Sequence, residues 1–185
     1  MISRIAVLDD IPRVMSLQDK YLVTNLSEAE KLNGFVTTPF SAQQIALVVG
    51  NNGLFIAETD GQIVAYAFTG TWAFFEAWPI FQVMEARLVK LNFLGQALST
   101  QNTFQYGPIC IDNTMRGTGL LQQLFETVRL SVKEQFPISI TFINQVNLRS
   151  LKAHTGKLGW VVIDEFGFDN KLYCMLALDM NRSVL

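Results

Sequence analysis

One stretch of the sequence, residues 105–135, constrains the fold more than any other. Residues 106–111 form a short apolar run typical of a buried strand, and the sequence RGTG follows at 116–119. Beyond it, apolar residues recur at the i, i+3, i+4, i+7, i+11 spacing of one helical face, at Leu121, Leu124, Phe125, Val128 and Val132. The sequence therefore predicts a strand, a glycine-containing turn and a helix, in that order.

This arrangement is typical of a phosphate-binding turn. The first N–H groups of a helix have no internal partner and point outward with the positive end of the helix dipole. Gly117 and Gly119 would let a phosphate approach the backbone, because no Cβ stands in its way. A short R-G-x-G motif is also compatible with a tight turn and nothing more, so both interpretations stay open.

The remaining segments alternate between helical and strand-like patterns. Helices are predicted at 11–21, 42–50, 79–91 and 147–158, strands at 2–7, 54–59, 63–69, 139–142, 160–168 and 172–178, and a loop at 95–104. The aromatic segment 72–78 fits neither period. We therefore expect an α/β fold of the α+β type, with a central mixed sheet flanked by helices, in a single domain spanning residues 1–185. The strand–helix–strand unit at 105–142 should be a right-handed parallel crossover.

Composition excludes several classes of protein. A net charge of -2 and a pI near 5.4 argue against a nucleic-acid partner, which would require an excess of Lys and Arg. One histidine and two separated cysteines, Cys110 and Cys174, make a metal site improbable. No apolar run approaches the roughly 20 residues of a membrane span, and the N-terminus lacks a secretory signal pattern. We expect reduced thiols and a cytoplasmic location, without a membrane partner.

Two motifs together carry a family resemblance. The first is ICID at 109–112 followed by RGTGL at 116–120, and the second is Asn147-x-x-Ser150 followed by His154 and KLGW at 157–160. In order and separation they resemble the pyrophosphate loop and the following helix of the GNAT superfamily of acyl-CoA N-acyltransferases. The predicted order of strands and helices is similar to that fold over nearly the whole chain.

The sequence departs from the family pattern at two places. Leu121 stands where the loop motif ends in glycine or alanine. The segment from His154 to Gly159 carries one residue more than the commonest family spacing, and one added residue turns a helical side chain by about 100°.

The resemblance implies acetyl-CoA as cosubstrate and no metal. The backbone of Ile109, Cys110 and Ile111 would hold the pantetheine arm and the thioester carbonyl. The pyrophosphate would be received by Gly117, Thr118, Gly119, Leu120 and Leu121, with added charge from Arg116. Asn147 would hydrogen-bond the pantetheine arm with support from Ser150, although a plain helix N-cap explains Asn147 equally well.

The resemblance also implies direct attack of a neutral amine on the thioester. The amine must lose a proton, for which Glu85 is the first candidate base, with Glu76 and Asp112 as alternatives. His154, or a nearby tyrosine, is the candidate acid for the leaving thiolate. Each of these side chains also has an ordinary structural interpretation, as a solvated carboxylate or a histidine near a helix C-terminus.

The acceptor would be a primary amine of a small molecule or of a protein. Its site is expected among residues 23–38 and 72–93, the second of which contains Trp72, Phe74, Phe75, Trp78 and Phe81. Those aromatics also fit a core or a homodimer contact. Two other functions therefore stay open: a catalytically idle acyl-CoA-binding or regulatory module, and a protein-interaction domain.

Overall fold

A computed structural model describes all residues, Met1–Leu185. The strands are β1 (Ile2–Ile5), β2 (Leu54–Thr59), β3 (Gln62–Gly70), β4 (Asn92–Phe93), β5 (Gln96–Ala97), β6 (Thr103–Ile111), β7 (Ile138–Asn144), β8 (Val161–Phe168) and β9 (Lys171–Asp179). The helices are α1 (Ile11–Tyr21), α2 (Glu28–Lys31), α3 (Ala42–Gly50), α4 (Trp72–Phe75), α5 (Pro79–Leu88), α6 (Leu120–Val132) and α7 (Leu148–Ala153). A π-helical turn, His154–Leu158, follows α7.

Seven of the strands form one mixed sheet in the order β1-β2-β3-β6-β7-β9-β8, and β4 and β5 form a separate hairpin. The pairing of β6 with β7 is parallel, whereas β1 with β2, β2 with β3, and β9 with both of its neighbours are antiparallel. The expected mixed sheet flanked by helices is confirmed.

The chain divides into two compact units. The first contains Met1–Thr69, Gly107–Arg129 and Leu185, and the second contains Gly70–Tyr106 and Leu130–Val184. The expectation of one domain over the whole chain stays a prediction.

In the first unit, α1 and α3 pack through apolar stripes. Ser41 caps α3 by accepting a hydrogen bond from the amide of Gln44, so the helix begins where the sequence predicts. Phe40 stacks on Phe68 of β3 with ring centroids 4.7 Å apart. The buried side chain of Gln18 on α1 satisfies both backbone groups of Phe40, at 2.9 and 3.0 Å.

In the second unit, α4 and α5 cover one face of the strands. Trp72 Nε1 donates to Thr103 Oγ1 of β6 at 2.9 Å, and the ring of Phe81 meets Phe142 of β7 edge-on at 5.4 Å. Further along α5, Arg87 forms two hydrogen bonds, of 2.6 and 3.0 Å, with Asp164 of β8. We call this surface of the strands the α5 face.

One local expectation needs correction, and one segment without a prediction proves to be helical. The expected loop at 95–104 contains β5 and the start of β6, which begins at Thr103. Thr103 to Tyr106 are all buried, so the strand extends into the core further than the apolar run 106–111 indicates. Within the aromatic segment 72–78, which fits neither period, Trp72–Phe75 form the single helical turn α4, capped by Thr71.

Candidate active site

The glycine turn lies in the first unit, between β6 and α6. Gly117 and Gly119 have φ values of 84° and 88°, which a side chain rarely adopts. A Cβ at either position would meet nothing within 4 Å. The backbone conformation therefore requires glycine, and the space in front of both residues is open to a ligand.

The amides of residues 117–121 are available to an anion. None of them donates a hydrogen bond in the turns and loops of the structure, and the first bond of the helix runs from Gln123 N to Gly119 O at 3.1 Å. Because α6 is 13 residues long, its N-terminus also carries the positive end of a full helix dipole. Leu121, where the family motif has a small residue, is half-buried in the first turn of this helix.

Contacts from α1 hold the segment before the glycines in place. Tyr21 Oη accepts a hydrogen bond from Asn113 N at 2.8 Å. The guanidinium of Arg116 lies 5.1 Å from the Tyr21 ring centroid and donates to the carbonyls of Ile111, at 2.9 Å, and Asn33. Arg116 is therefore tied to the protein, and it orients the turn by these contacts.

Asp112 is a structural carboxylate in this arrangement. It accepts hydrogen bonds from Lys20 Nζ at 2.7 Å and from the amide and hydroxyl of Thr114 at 3.0 and 2.8 Å. Partial burial opposes its ionisation, but these hydrogen bonds outweigh burial and hold its pKa at about 2. A carboxylate with that pKa is a weak base, so the role of base fits Asp112 poorly.

The three residues of β6 expected to hold the pantetheine arm differ in exposure. Ile109 and Ile111 are half-buried, whereas Cys110 is buried. Burial raises the pKa of the Cys110 thiol to about 12. At neutral pH this thiol carries its proton and is a poor nucleophile, which disfavours a covalent acyl-cysteine intermediate.

In the second unit, Asn147 caps α7. The side-chain oxygen of Asn147 accepts a hydrogen bond from Ser150 N at 3.3 Å, and the backbone N–H of Asn147 donates to Asn144 O at 2.8 Å. The N-cap interpretation is confirmed, and binding of the pantetheine arm by Asn147 and Ser150 stays a prediction.

His154 lies at the start of the π-helical turn and is 3% exposed. Its Nδ1 lies 2.8 Å from the carbonyl oxygen of Ser150, so Nδ1 carries the hydrogen and Nε2 is left as an acceptor. Its ring centroid lies 5.9 Å from those of Tyr106 and Trp160. Burial lowers its pKa to about 4, against a smaller opposing effect of the Ser150 carbonyl.

The additional residue after His154 is accommodated by the π-helical turn. A π turn closes over one residue more than an α turn, so the chain absorbs the longer spacing within the helix. The turn ends at Gly159, whose φ of 78° is left-handed, and Trp160 N donates to His154 O at 3.1 Å.

Glu85 lies half-buried on α5, one helical turn after Phe81. The rings of Phe74, Phe75, Trp78, Phe81 and Phe142 contact one another in turn, and we call them the aromatic layer of the α5 face. Glu85 borders this layer because it follows Phe81 by four residues on the same side of α5. No hydrogen bond or ion pair joins Glu85 to His154, and the structure does not bring the two candidate catalytic side chains together. Glu76 is exposed.

The structure contains no group of three or more His, Cys, Asp or Glu side chains that could hold a metal ion. None of its helices is both long and apolar enough to cross a membrane.

Comparison with solved structures identifies the fold. One similar structure is an acetyltransferase of the GNAT family from Streptococcus agalactiae, with a TM-score of 0.64 and 15% identity over 96% of this chain and 94% of that one. Another is a putative acetyltransferase from Salmonella typhimurium solved with its cofactor acetyl-CoA, with a TM-score of 0.65 and 13% identity over 98% and 95%. A third is a ribosomal-protein-alanine N-acetyltransferase from Brucella melitensis, with a TM-score of 0.60 and 15% identity over 97% of this chain and 99% of that one.

These similarities cover nearly the whole of each chain, so the molecule has an N-acetyltransferase fold. More particularly, it has the fold of the GNAT superfamily, and the resemblance inferred from its two motifs is confirmed at the level of the fold. No protein-family profile and no curated protein matches the sequence.

Proposed function

We propose that the protein is an acetyl-CoA-dependent N-acetyltransferase that acetylates a primary amine by direct attack. The observation that supports this most strongly is the glycine turn. It offers unbonded amides at residues 117–121, open space before Gly117 and Gly119, and the N-terminus of α6. In a GNAT fold, this is the chemistry that a pyrophosphate needs.

The residues present fit acetyl-CoA. The amides at 117–121 would receive the pyrophosphate, and the backbone of Ile109, Cys110 and Ile111 would hold the pantetheine arm. Arg116 would act mainly by fixing the turn, because its guanidinium already donates to two backbone carbonyls. Acetyl-CoA supplies the thioester, whose carbonyl carbon is the electrophile.

Direct attack requires three events at the substrate. The amine nitrogen bonds to the carbonyl carbon, the C–S bond breaks, and one proton passes from the amine to a base and from there to solvent or the departing thiolate. The raised pKa of Cys110 supports attack without a covalent enzyme intermediate. Glu85 is proposed to take the amine proton, because its carboxylate is half-buried beside the aromatic layer and has no ion-pair partner.

His154 is proposed to act in its neutral form. With Nδ1–H fixed on the Ser150 carbonyl, Nε2 presents a lone pair. A neutral imidazole of this tautomer can accept a hydrogen bond at Nε2 but has no hydrogen to donate there, so the structure favours hydrogen-bond acceptance over the acid role expected from the sequence.

Calorimetry with acetyl-CoA tests the role of the turn. Gly119→Trp should weaken binding by at least about 10-fold, because the indole would occupy the open space at the amides. Gly61→Trp is the matched control, since Gly61 also has a positive φ, 72°, and open space around its Cβ but lies in the β2–β3 turn. Equal affinities in both variants would contradict the assignment of the turn.

A thiol-release assay over a panel of small amines and peptides tests the reaction itself. Acetylation of at least one amine, together with acetyl-CoA binding, would support the proposed function. Binding without acetylation of any amine would favour an idle acyl-CoA-binding module instead.

A further inference from the structure

Gln105 of β6 is a fully buried side chain whose amide has no hydrogen-bond partner. Its exposed fraction is 0%, and neither Oε1 nor Nε2 is bonded. Gln18, the other buried glutamine, is 3% exposed, and both ends of its amide are bonded to Phe40. Leaving a buried donor and acceptor unpaired is costly, so such a group calls for a physical explanation.

The surroundings of Gln105 are aromatic and aliphatic. Its partner in the β6–β7 register is Ile140, and Thr103, two residues earlier on the same face of β6, is already bonded to Trp72. Two residues beyond Ile140 lies Phe142, which is covered by Phe81. Gln105 therefore lies on the α5 face. On that face, its neighbour Thr103 contacts Trp72 of α4, and the nearby Phe142 contacts Phe81 of α5.

The identity of the side chain points to a ligand. An aliphatic residue would fill this position at lower cost, because no protein group nearby uses the polar atoms. A glutamine amide offers one acceptor and two donor hydrogens within one plane, which matches a second amide group better than it matches an isolated charge.

We propose that Gln105 recognises a carboxamide or peptide group of the acceptor amine, an inference that rests on the proposed N-acetyltransferase function. The acceptor class is a primary amine with an amide group next to an aromatic or apolar side chain. Gln105 is 0% exposed, so an acceptor reaches its amide by displacing side chains of the α5 face. Phe74 and Trp78, the half-buried members, lie at its edge.

The amide groups of the pantetheine arm share this chemistry. The acceptor is favoured because Gln105 lies on the α5 face beneath the aromatic layer, which offers an apolar wall and the half-buried carboxylate of Glu85 at its border. Measuring both acetyl-CoA affinity and amine selectivity distinguishes an amide group of the acceptor from one of the pantetheine arm.

The first arm of the test measures thermal unfolding without ligand. Gln105→Met replaces the unpaired amide by an apolar group of similar size and should raise the melting temperature by about 2–8 °C. Gln18→Met is the matched control and should lower the melting temperature, because it removes two buried hydrogen bonds to the backbone of Phe40. A comparable decrease in both variants, repeated in Gln105→Leu, would show that the amide is satisfied within the protein and would overturn the inference.

The second arm compares kcat/KM for phenylalaninamide and 2-phenylethylamine, which differ by the carboxamide. The kcat/KM for phenylalaninamide divided by that for 2-phenylethylamine should be about 10- to 100-fold lower in Gln105→Met than in the wild type, while acetyl-CoA affinity is unchanged. Comparing ratios removes the difference in basicity between the two amines. The melting temperature of the variant, measured in the first arm, excludes unfolding as the cause.

Three outcomes contradict different claims. An unchanged ratio in an active enzyme overturns this inference alone. Weaker acetyl-CoA binding by Gln105→Met with an unchanged ratio assigns the amide to the pantetheine arm and overturns the acceptor assignment. Absence of acetyl-CoA binding by the wild type overturns the proposed function, and this inference with it.

Discussion

His154 is the only histidine in the chain, so its titration can be followed directly by NMR of its ring protons. We expect a pKa of about 4, because burial disfavours the imidazolium. A Nδ1–H tautomer should be visible in the ring ¹⁵N shifts, in agreement with the 2.8 Å contact to Ser150 O. A midpoint near 6.5 would show instead that the ring is open to solvent.

At the scale of one residue, the protonation state of His154 could not be predicted from the sequence. The motif predicts that this histidine lies on the helix that begins at Asn147, but the role of acid assumes an ordinary pKa. Its proton affinity depends on Tyr106 and Trp160, which pack around it from β6 and from the residue before β8. The same holds for Gln105, since no local pattern shows whether a buried amide finds a partner elsewhere in the chain.

At the scale of elements, the segment from β6 to α6 was predictable because its signals are local. The glycines, the apolar run and the helical period all lie within about thirty residues. The turn α4 was not predictable, because Trp72 is buried against Thr103, which lies 31 residues further along the chain. The contacts of Lys20 with Asp112 and of Tyr21 with Asn113 each span 92 residues, so no local sequence pattern predicts them.

The end of the π-helical turn gives a prediction at this scale. Gly159→Ala should lower the free energy of unfolding by about 1–2 kcal/mol, because its φ of 78° is left-handed and open space cannot relieve that strain. Gly50→Ala at the end of α3 should instead raise it by about 0.4–1 kcal/mol, since Gly50 has helical geometry and nothing lies within 4 Å of its Cβ. Urea unfolding measures both.

The two glycine variants differ only in backbone conformation, so they control for the added methyl group. Similar shifts of the same sign in both would contradict the assignment of a left-handed residue at the end of the turn.

At the scale of the whole molecule, the order of strands and helices carried the recognition. Structural similarity extends over 96–98% of the chain at 13–15% identity for two of the structures compared, although no family profile matches the sequence. The order of elements survives such divergence, because it follows from backbone geometry. The proposed acceptor site was not predictable from the sequence in this detail, because the side chains of the α5 face have no fixed spacing along the chain.

The pH dependence of stability is a property of all the buried titratable groups together. His154 becomes protonated below pH 6.5 in the unfolded chain but only below about pH 4 in the folded protein. The free energy of unfolding should therefore fall by about 3 kcal/mol as the pH decreases from 6.5 to 4. Below about 3.8, protonation of Asp112, whose folded pKa is about 2, removes further stability. In alkali, Cys110 ionises above 9.0 in the unfolded chain but only near 12 when folded, so stability falls again as the pH rises.

Together these shifts predict a plateau of stability between about pH 6.5 and 9, measurable as the midpoint of urea unfolding from pH 3 to 10 under reducing conditions. His154→Gln should flatten the curve between pH 6.5 and 4, because the glutamine does not titrate there, and should leave the alkaline limb unchanged. Cys110→Ala should reduce the loss above pH 9 and leave the acid limb unchanged. Constant stability from pH 7 to 4.5 in the wild type would show that His154 is not held neutral by burial.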